Sequence, residues 1–158
     1  MDNILIVDDD PRTRRLLKQC LEPAGYGCRM AENVQSAKAA LEADHFDLML
    51  GNIDMPDGSG TDLVHHVKKC HPDTAIVIVG AIDNHTAESA ALDLEAYGYI
   101  VKPFTHHLVR INVNNALRRH RLELRDRKYL RKCEAADAGN PVKTADPVDV
   151  IAEIADRQ

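Results

Sequence analysis

Residues 3–11 read Asn-Ile-Leu-Ile-Val-Asp-Asp-Asp-Pro, a short apolar run that stops at three carboxylates and a proline. The run Asn3–Val7 shows no polar alternation and is bounded by acids, the pattern of a strand buried on both faces. Pro11 suits the first turn of a helix, where its missing N–H costs nothing, and Asp10 suits the N-cap. A buried strand therefore passes into a helix across an acidic turn.

The same alternation continues outward. Leu16, Leu17, Cys20 and Leu21 recur at helical spacing and predict the inner face of the first helix, which Pro23 and Gly25 end. Tyr26–Met30 predicts a second strand. Asn33 caps a helix whose apolar face includes Ala37, Ala40 and Leu41. Asp47–Asn52 predicts a third strand, followed by the Pro/Gly-rich loop Met55–Gly60 and a helix from about Thr61 to Cys70. Ala75–Val79 is the clearest strand. A fourth helix over 86–95, a fifth strand Gly98–Val101 and a long fifth helix from about Thr105 complete the series. Near-continuous apolar strands separated by helices predict an α/β doubly wound, five-stranded parallel sheet with helices on both faces. In such folds ligands gather outside the carboxyl ends of the strands, where strand order reverses. Asp8, Asp9 and Asp10, Asn52, Gly80 and Lys102 are the residues that this rule brings forward.

Charge divides the chain in three. Residues 1–103 carry 9 Lys/Arg against 17 Asp/Glu, residues 104–133 carry 9 against 2, and residues 134–158 carry 2 against 6. The predicted organisation is a domain over 1–120 with its last helix continuing to about 133, then a linker-like tail over 134–158. Within that tail, Asp146-Pro147 predicts a short helix over 147–156 with Val148, Ile151 and Ile154 on one side. No stretch approaches the roughly 20 apolar residues of a membrane span, and the acidic N-terminus is unlike a secretory signal. The four cysteines are scattered and read as free thiols, which predicts a cytoplasmic protein.

The strand-end residues carry recognisable chemistry. Asp8 and Asp9 suit a hard cation such as Mg²⁺, and Lys102 suits a phosphoryl oxygen. Here the sequence resembles the receiver domain of two-component response regulators. The resemblance rests on Ile4-Leu-Ile-Val-Asp-Asp-Asp-Pro11, Asp47-Leu-Met-Leu50, Met55-Pro56 with Gly60, Tyr99, and Lys102-Pro103-Phe104, and it covers roughly residues 2–120. It implies a flavodoxin-like sheet of order 2-1-3-4-5. It also implies that Asp8 and Asp9 are the metal-binding acids, that Lys102 is the phosphate-sensing lysine and that Tyr99 is the switch aromatic.

Two positions depart from the family pattern. Counting back four residues from Pro56 puts the phosphoacceptor at Asn52, and the hydroxyl residue after the fourth strand falls at Gly80. An amide lacks the carboxylate nucleophile that captures phosphorus, and glycine has no hydroxyl. Asp54, displaced into the loop, is a poor substitute acceptor but can join Asp8 and Asp9 in a weak Mg²⁺ site.

Each feature has a plainer reading. The acidic triplet can merely cap a helix, Lys102 can pair with Asp9 and hold a vestigial site shut, and Tyr99 can be a packing residue. The eight histidines show no zinc spacing and read as solvated or capping groups. The basic stretch Arg118–Lys132 has one aromatic and no reading motif for nucleic acid. Leu117/Leu124 and Leu122/Tyr129, each seven apart, instead suggest helical association with a partner or with a second copy, as a homodimer through helix 105–133. The stretch is also similar to the signalling helices that join receivers to output domains.

The leading expectation is a pseudo-receiver: a non-enzymatic interaction module that meets a histidine kinase or output protein through its fourth helix, fifth strand and fifth helix. One alternative is a phosphorylatable regulator in which Asn52 was introduced in place of a native aspartate, or the N-terminal part of a longer regulator. A second alternative, from another class, is a metal-dependent phosphohydrolase. About 25 residues follow the long helix, too few for a winged-helix output domain.

Overall fold

A computed structural model of the chain describes residues 1–56, 60–81, 89, 92–93 and 95–138. The chain divides into two compact units, Met1–Leu122 and Glu123–Gln158.

The first unit is built on five parallel strands: β1 (Asn3–Val7), β2 (Gly27–Ala31), β3 (Leu48–Asn52), β4 (Ala75–Ala81) and β5 (Gly98–Lys102). Their order is β2-β1-β3-β4-β5, the doubly wound arrangement read from the sequence. Helices α1 (Pro11–Leu21), α2 (Val34–Ala43) and α3 (Gly60–Cys70) connect the first four strands, and a C-terminal helix spans His106–Ala138.

Successive strand residues point to opposite faces, so each strand serves two cores. Leu5, Val7, Met49, Ile76 and Ile78 pack with Ala37 and Leu41 of α2 and Leu63 and Val67 of α3. Ile4, Ile6, Leu50, Val77 and Ile100 pack on the other side with Leu17 and Leu21 of α1 and Val109, Val113 and Leu117 of the C-terminal helix. Burying each such side chain contributes about 1.5–3 kcal/mol. This two-sided burial is why the strands read as unbroken apolar runs.

Local signals set the helix starts. The Asp10 side chain accepts from the Arg12 N–H with Pro11 in the first turn. Asn33 and Ser36 form a reciprocal capping box at α2.

Several readings change. β2 begins one residue later than the pattern suggested. Leu16 is 41% exposed and is not part of the inner face of α1, which is formed by Leu17, Cys20 and Leu21. Leu117, offered above to a second copy, is buried in the domain core. The C-terminal helix runs to Ala138, five residues beyond the predicted stop near 133, because Glu134–Ala138 contains no residue that breaks a helix. His120 is buried rather than solvated: its Nε2 lies 3.2 Å from the Pro72 carbonyl, and its ring meets Tyr97 edge-on. The predicted helix 86–95 falls largely outside the described residues, of which Ser89, Leu92 and Asp93 are helical. The short helix 147–156 lies wholly outside them.

Candidate functional site

Strand register alone assembles most of the site. Val7 pairs with Gly51, so the next residues of the two strands, Asp8 and Asn52, leave the sheet side by side. Ala81 pairs with Lys102 at the end of β5. The acidic turn, the end of β3 and the last residue of β5 thus meet at one edge.

Asp8 is the hub. Its side chain is 1% exposed, yet every polar atom is engaged. Oδ2 accepts from Lys102 Nζ at 2.9 Å, and Oδ1 accepts from the Asp10 N–H at 2.9 Å. The Asp8 carbonyl accepts from Arg14 Nη1 at 2.6 Å. Lys102 therefore pairs with Asp8, not with Asp9 as the plainer reading had it. The physical reason is burial: the enclosed carboxylate has the greater need of a counter-charge, since an unpaired buried charge costs several kcal/mol.

Asn52 is buried, and both ends of its amide are used. Nδ2 faces Asp9 Oδ1 at 3.1 Å, the Asp54 carbonyl at 3.4 Å and Asp8 Oδ1 at 3.5 Å. Oδ1 accepts from the Asp54 N–H at 3.3 Å. A backbone N–H can only donate, so this contact orients the amide with its nitrogen toward the two carboxylates. Asp54 thus holds Asn52 through its main chain.

A hard cation asks for a different donor set. Mg²⁺ requires oxygen lone pairs converging in near-octahedral geometry. Here N–H groups of Asn52 point at the oxygens of Asp8 and Asp9, and Lys102 already neutralises Asp8. Among the described residues no group of three or more His, Cys, Asp or Glu side chains is arranged to hold a metal. This arrangement does not fit the ion.

The remaining predicted positions flank the hub. Gly80 is buried in β4. Tyr99 is partly buried against the α2–α3 core, and its hydroxyl donates to the Ala81 carbonyl at 3.3 Å. Gly60 has a reason to be glycine: a Cβ there would lie 2.7 Å from Ile53 Cα and 2.8 Å from the Asn52 carbonyl. The start of α3 therefore presses on the exit of β3 and fixes where Asn52 stands. Arg14 was missed by the sequence reading, since a basic residue on an exposed first turn carries no local mark of a main-chain contact.

Comparison with known proteins agrees with this architecture. The response regulator receiver domain family matches residues 4–114. The chain belongs to that family. Among its relatives, the response regulator protein PilR of Pseudomonas aeruginosa is 37% identical over 114 residues, covering 72% of this chain and 26% of PilR. The transcriptional regulatory protein BasR of Escherichia coli is 31% identical over 117 residues, 74% of this chain and 53% of BasR. The chain thus spans about a quarter to a half of the length of these two relatives. A receiver domain protein of Methanospirillum hungatei superposes with a TM-score of 0.72 at 29% identity, covering 78% of this chain and 98% of that one. Response regulator TrrA of Thermotoga maritima, solved with Mg²⁺–BeF, gives 0.66 at 30% identity, covering 73% of this chain and 99% of TrrA. The receiver is a module of two-component signalling. Among its described residues, no helix is long and apolar enough to cross a membrane.

Proposed function

We propose that this receiver signals without accepting phosphate. The observation that carries the reading is the Asn52 amide donating toward Asp8 and Asp9 at the end of β3. An amide nitrogen whose lone pair is delocalised has no nucleophile comparable with a carboxylate oxygen. Asn52 instead supplies donors to two acids that would otherwise repel each other. Lys102 is held by Asp8, and Gly80 offers no hydroxyl to follow a phosphoryl group. With the Asn52 donors turned toward them, Asp8 and Asp9 do not offer Mg²⁺ the open oxygen ligands it needs.

On this reading the output is a contact with a signalling protein, a histidine kinase or an output protein, rather than a reaction. The surface proposed for it is β5 and the first turns of the C-terminal helix, the fourth-helix part of the expectation lying largely outside the described residues. Leu92, and Leu108 and Ile111 of the C-terminal helix, are exposed apolar residues, and Tyr99 of β5 is partly buried.

The test is incubation with acetyl phosphate and Mg²⁺ followed by intact-protein mass spectrometry. No phosphoryl adduct is expected, while Asn52→Asp should acquire one. A stable adduct on the unmodified chain ends the proposal. Sequencing of the native coding region separates it from the alternative in which an aspartate was replaced: an aspartate codon at position 52 would favour an ordinary phosphorylated regulator.

A further inference from the structure

Leu16 of α1 does not face the core, and it does not stand alone on the surface. It is 41% exposed. Arg12 lies four residues before it, one turn away on the same side of the helix. Thr13 is next to Arg12. Opposite them runs Lys102-Pro103-Phe104, the segment that leaves β5. These six residues line an open groove of about 200 Å³. Leu16, Pro103 and Phe104 give it apolar walls, and Phe104 is itself packed partly into the α1 core.

The charges around this groove are committed, with one exception. Lys102 gives its ammonium to Asp8 at 2.9 Å, so it lends the groove its methylene stem. Asp9 accepts from Asn52. Asp10 caps α1, with Oδ1 accepting from the Arg12 N–H and Oδ2 from the Thr13 hydroxyl at 3.4 Å. Arg12 has no such duty. Among the described residues its guanidinium makes neither a hydrogen bond nor an ion pair. A solvated arginine by itself is ordinary. Beside an apolar hollow it sets a two-part requirement: an apolar body, and a carboxylate that the flat guanidinium fork holds through two parallel hydrogen bonds. The volume sets the size. It is below the roughly 300–1,000 Å³ of sites for drug-sized ligands, so the body is a single ring.

We propose that the groove between α1 and the Lys102–Phe104 segment binds a small aromatic carboxylate, its ring against Leu16, Pro103 and Phe104 and its carboxylate on Arg12. Such a ligand lies on the stem of the lysine that holds Asp8, and on the segment that leads into the C-terminal helix. Occupancy is thereby felt at the Asp8 hub and at the start of that helix. A receiver that does not accept phosphate gains a chemical input of its own. That role rests on the phosphate-independent reading, whereas binding in the groove does not.

Fluorine NMR tests it on the full-length chain, in EDTA and without a phosphodonor, which keeps the outcome separate from that of the acetyl phosphate experiment. The probe is para-fluorobenzoate. Para-fluorobenzyl alcohol supplies the ring without the charge, and acetate, added as competitor, supplies the charge without the ring. The benzoate signal should broaden and shift saturably, and the backbone amide resonances of Leu16, Lys102 and Phe104 should move with it. Arg12→Gln should weaken binding about tenfold or more, the loss of hydrogen bonds between charged groups, and Leu16→Glu should abolish it. Arg12 and Leu16 are exposed, so both variants should keep the parent Tm. Equal binding of the alcohol reduces the site to apolar adhesion, and displacement by equimolar acetate reduces it to a bare anion site. Either result overturns the proposal. So does unchanged affinity in Arg12→Gln, or no saturation within the solubility of the probe.

Discussion

Replacing Asn52 with aspartate isolates the physics of the site. The variant loses an amide that donates toward Asp9 Oδ1 at 3.1 Å and Asp8 Oδ1 at 3.5 Å, and puts a third carboxylate in a buried position. Hydrogen bonds to charged groups contribute about 1.5–3 kcal/mol. Two like charges at about 4 Å repel by roughly 4 kcal/mol at an effective dielectric of about 20, before side chains relax. Partial relaxation and proton uptake by the new acid leave a net loss of about 3 kcal/mol near neutral pH, or about 10 °C in Tm for a domain of this size. The sign reverses with a cation: Mg²⁺ at about tenfold above its Kd returns about 1.4 kcal/mol to the variant. The parent chain should gain nothing resolvable, because its amide already performs the neutralising role. Differential scanning calorimetry of both proteins in EDTA and in Mg²⁺ measures all four values. Equal stability of the two in EDTA, or equal gains in Mg²⁺, would refute the reasoning.

Lys102→Ala strands the buried Asp8 carboxylate. Because the lysine side chain is 28% exposed, water recovers part of the loss, and urea denaturation should show about 2–3 kcal/mol, with Lys102→Ala combined with Asp8→Asn losing less than the sum. Gly60→Ala forces a Cβ against backbone that cannot swing aside, which should cost about 1–3 kcal/mol and shift the amide resonances of Ile53 and Asn52. His66 has a depressed pKa, from burial first and then from Lys38 and His71. Its neutral form is the one that the fold favours. Stability is therefore full above the unfolded value near 6.5 and falls as pH drops below it, and His66→Gln should flatten Tm between pH 7.5 and 5.5. Burial pushes the Cys28 thiol up to about 11, so iodoacetamide at pH 8 should alkylate the exposed Cys70 well before Cys28, read by peptide mapping.

Legibility followed the range of the interaction involved. Strand runs, the Asp10 cap, the Asn33 cap and the Pro11 start depend on neighbours within four residues, and each is visible as a local pattern. The β2 boundary and the exposure of Leu16 depend on which neighbours cover a residue, and periodicity gives no information about that. The same holds for His120, whose enclosure comes from Tyr97 and the Pro72 carbonyl far away in the chain. The helix stop near 133 was placed by composition, yet backbone propensity carries the helix to Ala138.

By itself, the sequence determined the alternation of five buried strands with amphipathic helices, hence a doubly wound sheet, and it placed acids, an asparagine and a lysine at strand ends. Residue type also decided that position 52 has no oxygen nucleophile, because that is a property of the side chain alone. Only the tertiary structure decided the wiring: that Lys102 reaches Asp8 instead of Asp9, that the Asp54 N–H turns the Asn52 amide toward the acids, and that Gly60 holds the end of β3 in place. Those contacts join residues up to 94 apart, and the choice among chemically similar partners is set by register, burial and the last few tenths of an ångström, none of which a linear pattern encodes.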